Sequence, residues 1–251
     1  MASRSDPFPR RVLLGGVGIL LLIALWETLG RTGSLGVSWP PLSDVVRQGF
    51  NDRTILWESM VSTATAAAKG FLIGTSIALV LALTGLLLPR LRPGIGRLAT
   101  IVNSIPWLAL GPLLVMLVAP DLTPVVIAAM AVFFASFVSI SSGLQSASAA
   151  HEDVFTVFGA SKGSRLRRLE LPSAIPFLLD AAKLGAPAAV LGAIFGEWFG
   201  ASSGLGLLIV SSVYLFLPER LWAAAGVAAL MAMIAYGVLA AIQYRVEPRF
   251  R

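Results

Sequence analysis

The stretch His151–Pro176, HEDVFTVFGASKGSRLRRLELPSAIP, is a charged island in a 251-residue chain that is 57% hydrophobic. Four of the chain's 19 basic residues, Lys162, Arg165, Arg167 and Arg168, fall within seven positions of it. Just before them, Val154, Phe155, Val157 and Phe158 stand at helical spacing, which gives a short helix one apolar face. Gly159 and Gly163 bracket a turn, and Ser161 or Ser164 caps a second short helix running to Glu170. Pro172 disfavours helical geometry at Leu171 and is expected to stop that helix. Two short polar helices at a bend, with apolar knobs and a basic flank, do not suit a lipid-facing position. They read as a docking surface for another protein.

The surroundings of the island are apolar. A mean hydropathy of +0.84 over this length implies one membrane domain rather than soluble ones. The chain has no Cys and a single His, His151, which excludes disulfides, thiolate chemistry and multi-histidine metal clusters. The net charge of +6 does not call for a nucleic-acid partner, because the basic residues alternate with long apolar runs. In a membrane chain that excess reflects retention of Lys and Arg on the cytoplasmic side.

Six apolar runs are long enough to cross a bilayer, at about 12–29, 61–88, 98–118, 125–144, 177–198 and 222–244. The fold class is therefore an all-α integral membrane protein in which residues 1–251 form a single domain. Residues 30–57 suit an external loop with an interfacial helix, and 199–221 a Gly- and aromatic-rich external stretch with a short re-entrant segment. The first run has basic residues before it but no clear cleavage site after it, so it reads as a span rather than a signal peptide. Segments on the side of the island hold 13 of the 19 basic residues, against only Arg31, Arg47, Arg53 and Arg220 on the other side. That asymmetry puts both termini and the loop 146–176 in the cytoplasm.

Polar and helix-breaking residues inside the runs are candidates for lining a passage. Pro106, Pro112 and Pro187 interrupt their spans and free backbone groups, which hydrocarbon tolerates only where protein or a water-filled cavity satisfies them. Asn103, Ser104, Ser136 and Ser139 add uncharged hydrogen-bonding groups, and Gly70, Gly74, Ser62, Thr63 and Thr65 let helices approach closely. Asp180 and Lys183 are three apart and pair on one helix face. Lys183 and Glu197 complete the pathway candidates, while Glu27 and Lys69 read as interfacial. No Walker-type GxxxxGK[ST] spacing is present, and no base, nucleophile or metal constellation supports an enzyme, so no cofactor is expected.

The island resembles the "EAA" loop of ABC importer permeases, whose pattern is Glu-Ala-Ala, three residues, Gly, nine residues, Ile, any residue, Leu-Pro. Here the register is Asp153-Val154-Phe155, three residues, Gly159, nine residues, Leu169-Glu170-Leu171-Pro172, with Pro176 beyond. The departures are Asp for Glu and Val-Phe for Ala-Ala. The resemblance implies a type I ABC importer-like permease whose coupling loop docks on an ATPase subunit. The docking residues would be Asp153, Val154, Phe155, Phe158, Gly159, Ala160, Lys162, Arg165, Arg168, Leu171 and Pro172.

Two further motifs narrow the resemblance. Pro106-Trp-Leu-Ala109-Leu-Gly-Pro112-Leu113 is similar to the third-span motif of nitrate/sulfonate/taurine-type permeases, and Glu197 with Gly204-Leu205-Gly206 is similar to their Glu…Gly-Leu-Gly stretch. The resemblance implies a bacterial inner-membrane complex of two such permease subunits, two cytoplasmic ATP-binding subunits and an extracytoplasmic solute-binding protein. ATP hydrolysis would belong to the separate subunit, and the solute would be small, hydrophilic and anionic. An ion-gradient-driven secondary transporter would show inverted repeats and charge relays near the midplane, and neither is visible. The broken spans argue against a scaffold without transport.

Overall fold

The computed structural model describes residues 8–147, 153–155 and 157–247, and the described residues are helical with no strand. His151 and the arginines Arg4, Arg249 and Arg251, counted above in the charge asymmetry, lie outside the described residues. The helices are α1 (Phe8–Thr32), α2 (Leu42–Asn51), α3 (Arg53–Leu87), α4 (Arg92–Ser104) and α5 (Trp107–Leu117). After a 3-10 turn at Pro120–Leu122 follow α6 (Thr123–Leu144), α7 (Lys162–Arg165), α8 (Leu171–Glu197), α9 (Leu205–Tyr214) and α10 (Pro218–Val246). By length and composition α1, α3, α6, α8 and α10 can each cross a bilayer, and α4 and α5, which meet at 95°, are apolar enough to form either one broken span or a re-entrant pair.

The centre of the bundle is α6, gripped between α3 and α8 through glycines. A Cβ placed on Gly70 of α3 would lie 2.8 Å from the Val125 carbonyl oxygen, and one on Gly192 of α8 would lie 2.7 Å from Ala128 Cα. Gly74 and Gly196 make the same close approach to Ala129 and Pro124. Lipid supplies no hydrophobic drive between spans, so backbone-to-backbone contact of this kind is what holds them together. The buried stripe of α3 runs Leu56, Ser59, Thr63, Ala67, Gly70, Gly74, Ala78, Ala82 and Gly85, mostly small residues at helical spacing. Thr63, Gly70 and Gly74 sit on that stripe, whereas Ser62 and Thr65 do not.

At the end of the bundle away from the loop, aromatic and charged groups tie the periphery down. None of the apolar window of α1 is buried. Trp26 of α1 stacks with Trp39 and Trp222, all three centroids within 4.8–4.9 Å of one another, and donates its indole N–H to Pro40 O at 3.1 Å. Glu27 receives the Ser43 backbone N–H at 3.0 Å and its hydroxyl at 2.8 Å, so α1 caps the N-terminus of α2. Arg220 makes a two-pronged pair with Asp52 at 2.7 and 3.1 Å, which locks α10 to the junction of α2 and α3.

Three proline expectations are corrected. Pro106 does interrupt its apolar run: Ile105 before it is extended (ψ 122°), as the ring demands, and the chain turns there between α4 and α5. Pro112 lies within α5 and Pro187 within α8, and neither ends its helix. Proline keeps a helical φ and removes one N–H, a loss that α8 survives because Gly185 and Gly192 hold it against α6 on both sides of the ring. Nor does Pro172 stop the helix after the loop. Leu171 is helical (φ −65°, ψ −48°), and a π-turn at Leu166–Glu170 carries α7 directly into α8. The π-turn shifts the bonding register, so that the Leu171 N–H reaches Leu166 O and Pro172 sits near a new helix start, where its missing donor is tolerated.

Candidate functional site

The loop is built from local rules. Residues 153–155 and 157 are helical, and the helix closes at Gly159, whose φ of +63° lies in the left-handed region. The Ala160 N–H returns to Phe155 O at 2.9 Å, the six-to-one bond of a Schellman closure. A side chain at Gly159 would meet nothing within 4 Å, so glycine is required there by backbone angle and not by crowding. Ser161 is extended (ψ 155°) and its hydroxyl accepts the Ser164 N–H at 3.3 Å. That decides the cap between the two serines in favour of Ser161.

This closure presents the apolar knobs to solvent. Val157 is 83% exposed and Phe158 82%, with Val154 at 51% and Phe155 half-buried. Asp153, Lys162 and Arg168 are exposed, while Ala160, Leu171 and Pro172 are half-buried. Arg165 turns inward and pairs with Glu170 at 2.9 Å, and Glu170 itself is buried. Behind the loop a cavity of about 390 Å³ separates it from the ends of α3, α4 and α6, bordered by Arg92, Gln145, Lys162, Arg165 and Glu170. Arg92 spans part of that gap by donating to the Gln145 side chain.

The eight pathway candidates are not brought together. Asn103, Ser104, Pro106 and Pro112 are exposed on α4, its break and α5, with the Ser104 hydroxyl bonded back to Thr100 O. Ser139 donates to Phe177 O at 3.0 Å, joining α6 to α8. Ser136 is fully buried, its hydroxyl without a partner among the described residues. Lys183 pairs with Asp180 at 3.0 Å as the spacing predicts, and both bond Gln243 of α10 at 2.6 and 2.9 Å. That three-member latch closes α8 on α10; Gln243 gave no signal in the sequence.

Glu197 has a different kind of place. It is 1% exposed, and its Oε2 accepts the Gly206 N–H at 2.7 Å and the Thr63 hydroxyl at 3.0 Å. The Thr63 oxygen in turn accepts the Leu205 N–H at 2.8 Å. Together they cap the start of α9 from outside the helix. The Gly-Leu-Gly stretch now has a physical reason. Gly204 (φ +131°) wraps so closely around the carboxylate that a Cβ would collide with it, and one on Gly206 would collide with Ile194 O. Beside this cap a second cavity, of about 300 Å³, is bordered by Ser62, Thr65, Lys69, Asp121, Ser202 and Ser203. The Ser202 N–H and hydroxyl both donate to Asp121, at 3.2 and 2.7 Å, and Ser62 bonds Ser203 at 2.8 Å.

Known proteins share this architecture. The chain is 28% identical over 189 residues to the formylaminopyrimidine transport permease protein ThiX of Halalkalibacterium halodurans, covering 74% of this chain and 76% of that one. It is 23% identical over 256 residues to the taurine transport system permease protein TauC of Escherichia coli, covering 96% and 91%. A solved amino acid ABC transporter matches the fold with a TM-score of 0.66 at 14% identity, over 79% of this chain and 97% of that one. The family of binding-protein-dependent transport system inner membrane components matches residues 70–251. With the helical bundle and the loop described above, the chain belongs to that family: it is a multi-pass membrane protein and an ABC importer permease subunit, a transport component and not an enzyme.

Proposed function

We propose that two copies of this chain form the translocation pathway of an ATP-driven importer, each docking its loop on one of two separate cytoplasmic ATP-binding subunits. The observation that carries this is the pair of knobs Val157 and Phe158, 83% and 82% exposed beside a closure that only glycine makes easily. Exposed apolar groups on a basic loop outside the bilayer are explained by a partner that covers them. Residues 153–172 would lie in a groove of the ATPase, and the unbroken α7–π-turn–α8 rod would carry the motion of that subunit into the bundle as a rigid body. The basic asymmetry supports both termini and the loop facing the cytoplasm, with the Glu197 cap at the extracytoplasmic end.

The solute is proposed to be small, hydrophilic and anionic, of the sulfonate, taurine or nitrate type, delivered by an extracytoplasmic binding protein. The likeness to TauC over 96% of the chain supports that class. Reconstitution with an ATPase partner and a binding protein tests the reading. Uptake of radiolabelled taurine or ethanesulfonate should require ATP inside the vesicles, and uptake driven by an ion gradient without ATP would refute it.

A further inference from the structure

The loop and α8 meet at the π-turn Leu166–Glu170, where the Leu171 N–H reaches Leu166 O. Such a turn holds one residue more than an α-helical turn, so its two sides can join at either of two settings. Relaxing it to α geometry would swing the loop about 100° round the helix axis and about 1.5 Å along it. The α8 side is held against such a change. A Cβ on Gly143 of α6 would lie 3.1 Å from Ala174 Cα, Ser139 donates to Phe177 O at 3.0 Å, and Leu171 packs against the cluster that holds Leu144 and Ala174. The loop side has room to move, because the cavity of about 390 Å³ separates it from the ends of α3, α4 and α6. Whatever fixes the π-turn therefore fixes the direction in which Val157 and Phe158 point.

One side-chain pair matches the π setting and not the α setting. Arg165 Nε donates to Glu170 Oε1 at 2.9 Å, with the Glu170 side chain 11% exposed and the Arg165 side chain 35%. In a continuous α-helix residues five apart lie about 140° apart round the axis, on different faces. Glu170 would there sit over Leu166 and Arg167, its neighbours four and three positions back. In π geometry the fifth residue stacks over the first, and the Arg165–Glu170 pair closes. Glu170 is buried beside Leu169, so giving up Arg165 would strip a carboxylate of its partner where little water reaches it. We propose that the Arg165–Glu170 pair is a register lock, which holds the joint in its π setting and so sets the azimuth at which the docking loop meets the ATPase subunit. Both are positioning residues, which moves Arg165 from the docking face to the joint. The proposal rests on the docking reading for its partner, while the lock itself belongs to the permease alone.

The chain has no cysteine, and side chains at Gly94, Gly163 and Gly237 would meet nothing within 4 Å. Spin labels on the full-length permease in nanodiscs, at Gly163→Cys paired in turn with Gly94→Cys and Gly237→Cys, read the loop against two points of the bundle. A rotation of that size at the rim of a helix about 10–12 Å across moves the label by roughly 7 Å. Glu170→Leu should therefore shift at least one of the two distances, and Arg165→Met, at the more exposed end of the pair, should do the same. Deleting Arg167 removes the extra residue, so that a regular helix gives the native azimuth without the pair. In the Glu170→Leu background that deletion should return both distances to their wild-type values, a rescue that a merely stabilising pair would not show. ATPase affinity should fall about tenfold in Glu170→Leu, the loss expected from misplacing one knob, and recover with the deletion. Distances unchanged in both single variants, or shifted and not restored by the deletion, overturn the lock. Distances that shift and recover while ATPase affinity stays level uphold the lock and refute the docking reading instead.

Discussion

Removing the Glu197 carboxylate separates a capping role from a pathway role. Glu197 Oε2 accepts two buried donors, the Gly206 N–H at 2.7 Å and the Thr63 hydroxyl at 3.0 Å. A hydrogen bond contributes roughly 0.5–1.5 kcal/mol net, and a buried donor left without an acceptor costs about 1–3 kcal/mol. Glu197→Ala leaves the Gly206 N–H without an acceptor and the Thr63 hydroxyl with Ser59 O alone, opens space under Gly204 and frees the start of α9, so a loss of roughly 2–4 kcal/mol is expected. Glu197→Gln keeps a carbonyl oxygen in place and should lose about 1 kcal/mol. Thermal unfolding of the detergent-purified permease reads the difference, at roughly 2–4 °C per kcal/mol for a chain of this size. The expected order is wild type, then Gln slightly below it, then Ala far below. Should Glu197→Ala melt with the wild type while abolishing uptake, the capping argument fails and the residue belongs to the pathway.

Gly192→Val should disrupt the bundle, because its side chain would begin 2.7 Å from Ala128 Cα; loss of folded yield in detergent is the readout, and a wild-type melt would contradict the glycine grip. Asp52 gives an acid-dependent prediction. The Arg220 guanidinium beside it holds its carboxyl below the usual carboxylate range, helped by Gln48. A carboxyl depressed in the folded state stabilises fully above its unfolded pKa of about 3.9, and that stability is lost as pH falls through the lower folded value. Melting curves below pH ~4 should therefore steepen in the wild type and flatten in Asp52→Asn, and parallel curves would refute this. For topology, single cysteines at Ser164 and Ser202 should label from opposite faces of the membrane; labelling of both from outside would overturn the orientation.

What was legible in the sequence was local. Gly159 falls where a helix must close, and its left-handed φ follows from spacing alone. The Asp180–Lys183 pair likewise needs only the helical repeat. What was hidden depends on contacts far apart in the chain. Glu197 reads as a lone acid at a span end until Thr63, 134 residues earlier, is found against it. Lys69 reads as interfacial because nothing in its own run shows that it lines one cavity with Asp121 and Ser203. Pro172 departs from the sequence expectation for another reason. The rule that residues before proline leave the helical region is a tendency of isolated segments, and a π-turn together with packing on α6 outweighs it here. Pro187 shows the same override by tertiary packing.

The central claim is that the knobs beside Gly159 hold the ATPase subunit. Phe158 is 82% exposed, so Phe158→Ala should leave the melting of the isolated permease unchanged. Burying such a side chain against a partner contributes roughly 1.5–3 kcal/mol, so its loss should weaken docking by about one to two powers of ten. Gly159→Asp adds a charge and a strained backbone at the same contact and should weaken docking further. The deciding measurement is the affinity of the purified ATPase subunit for wild-type, Phe158→Ala and Gly159→Asp permease in lipid nanodiscs. A stepwise loss with intact permease fold is the result predicted, and three equal affinities would contradict the account.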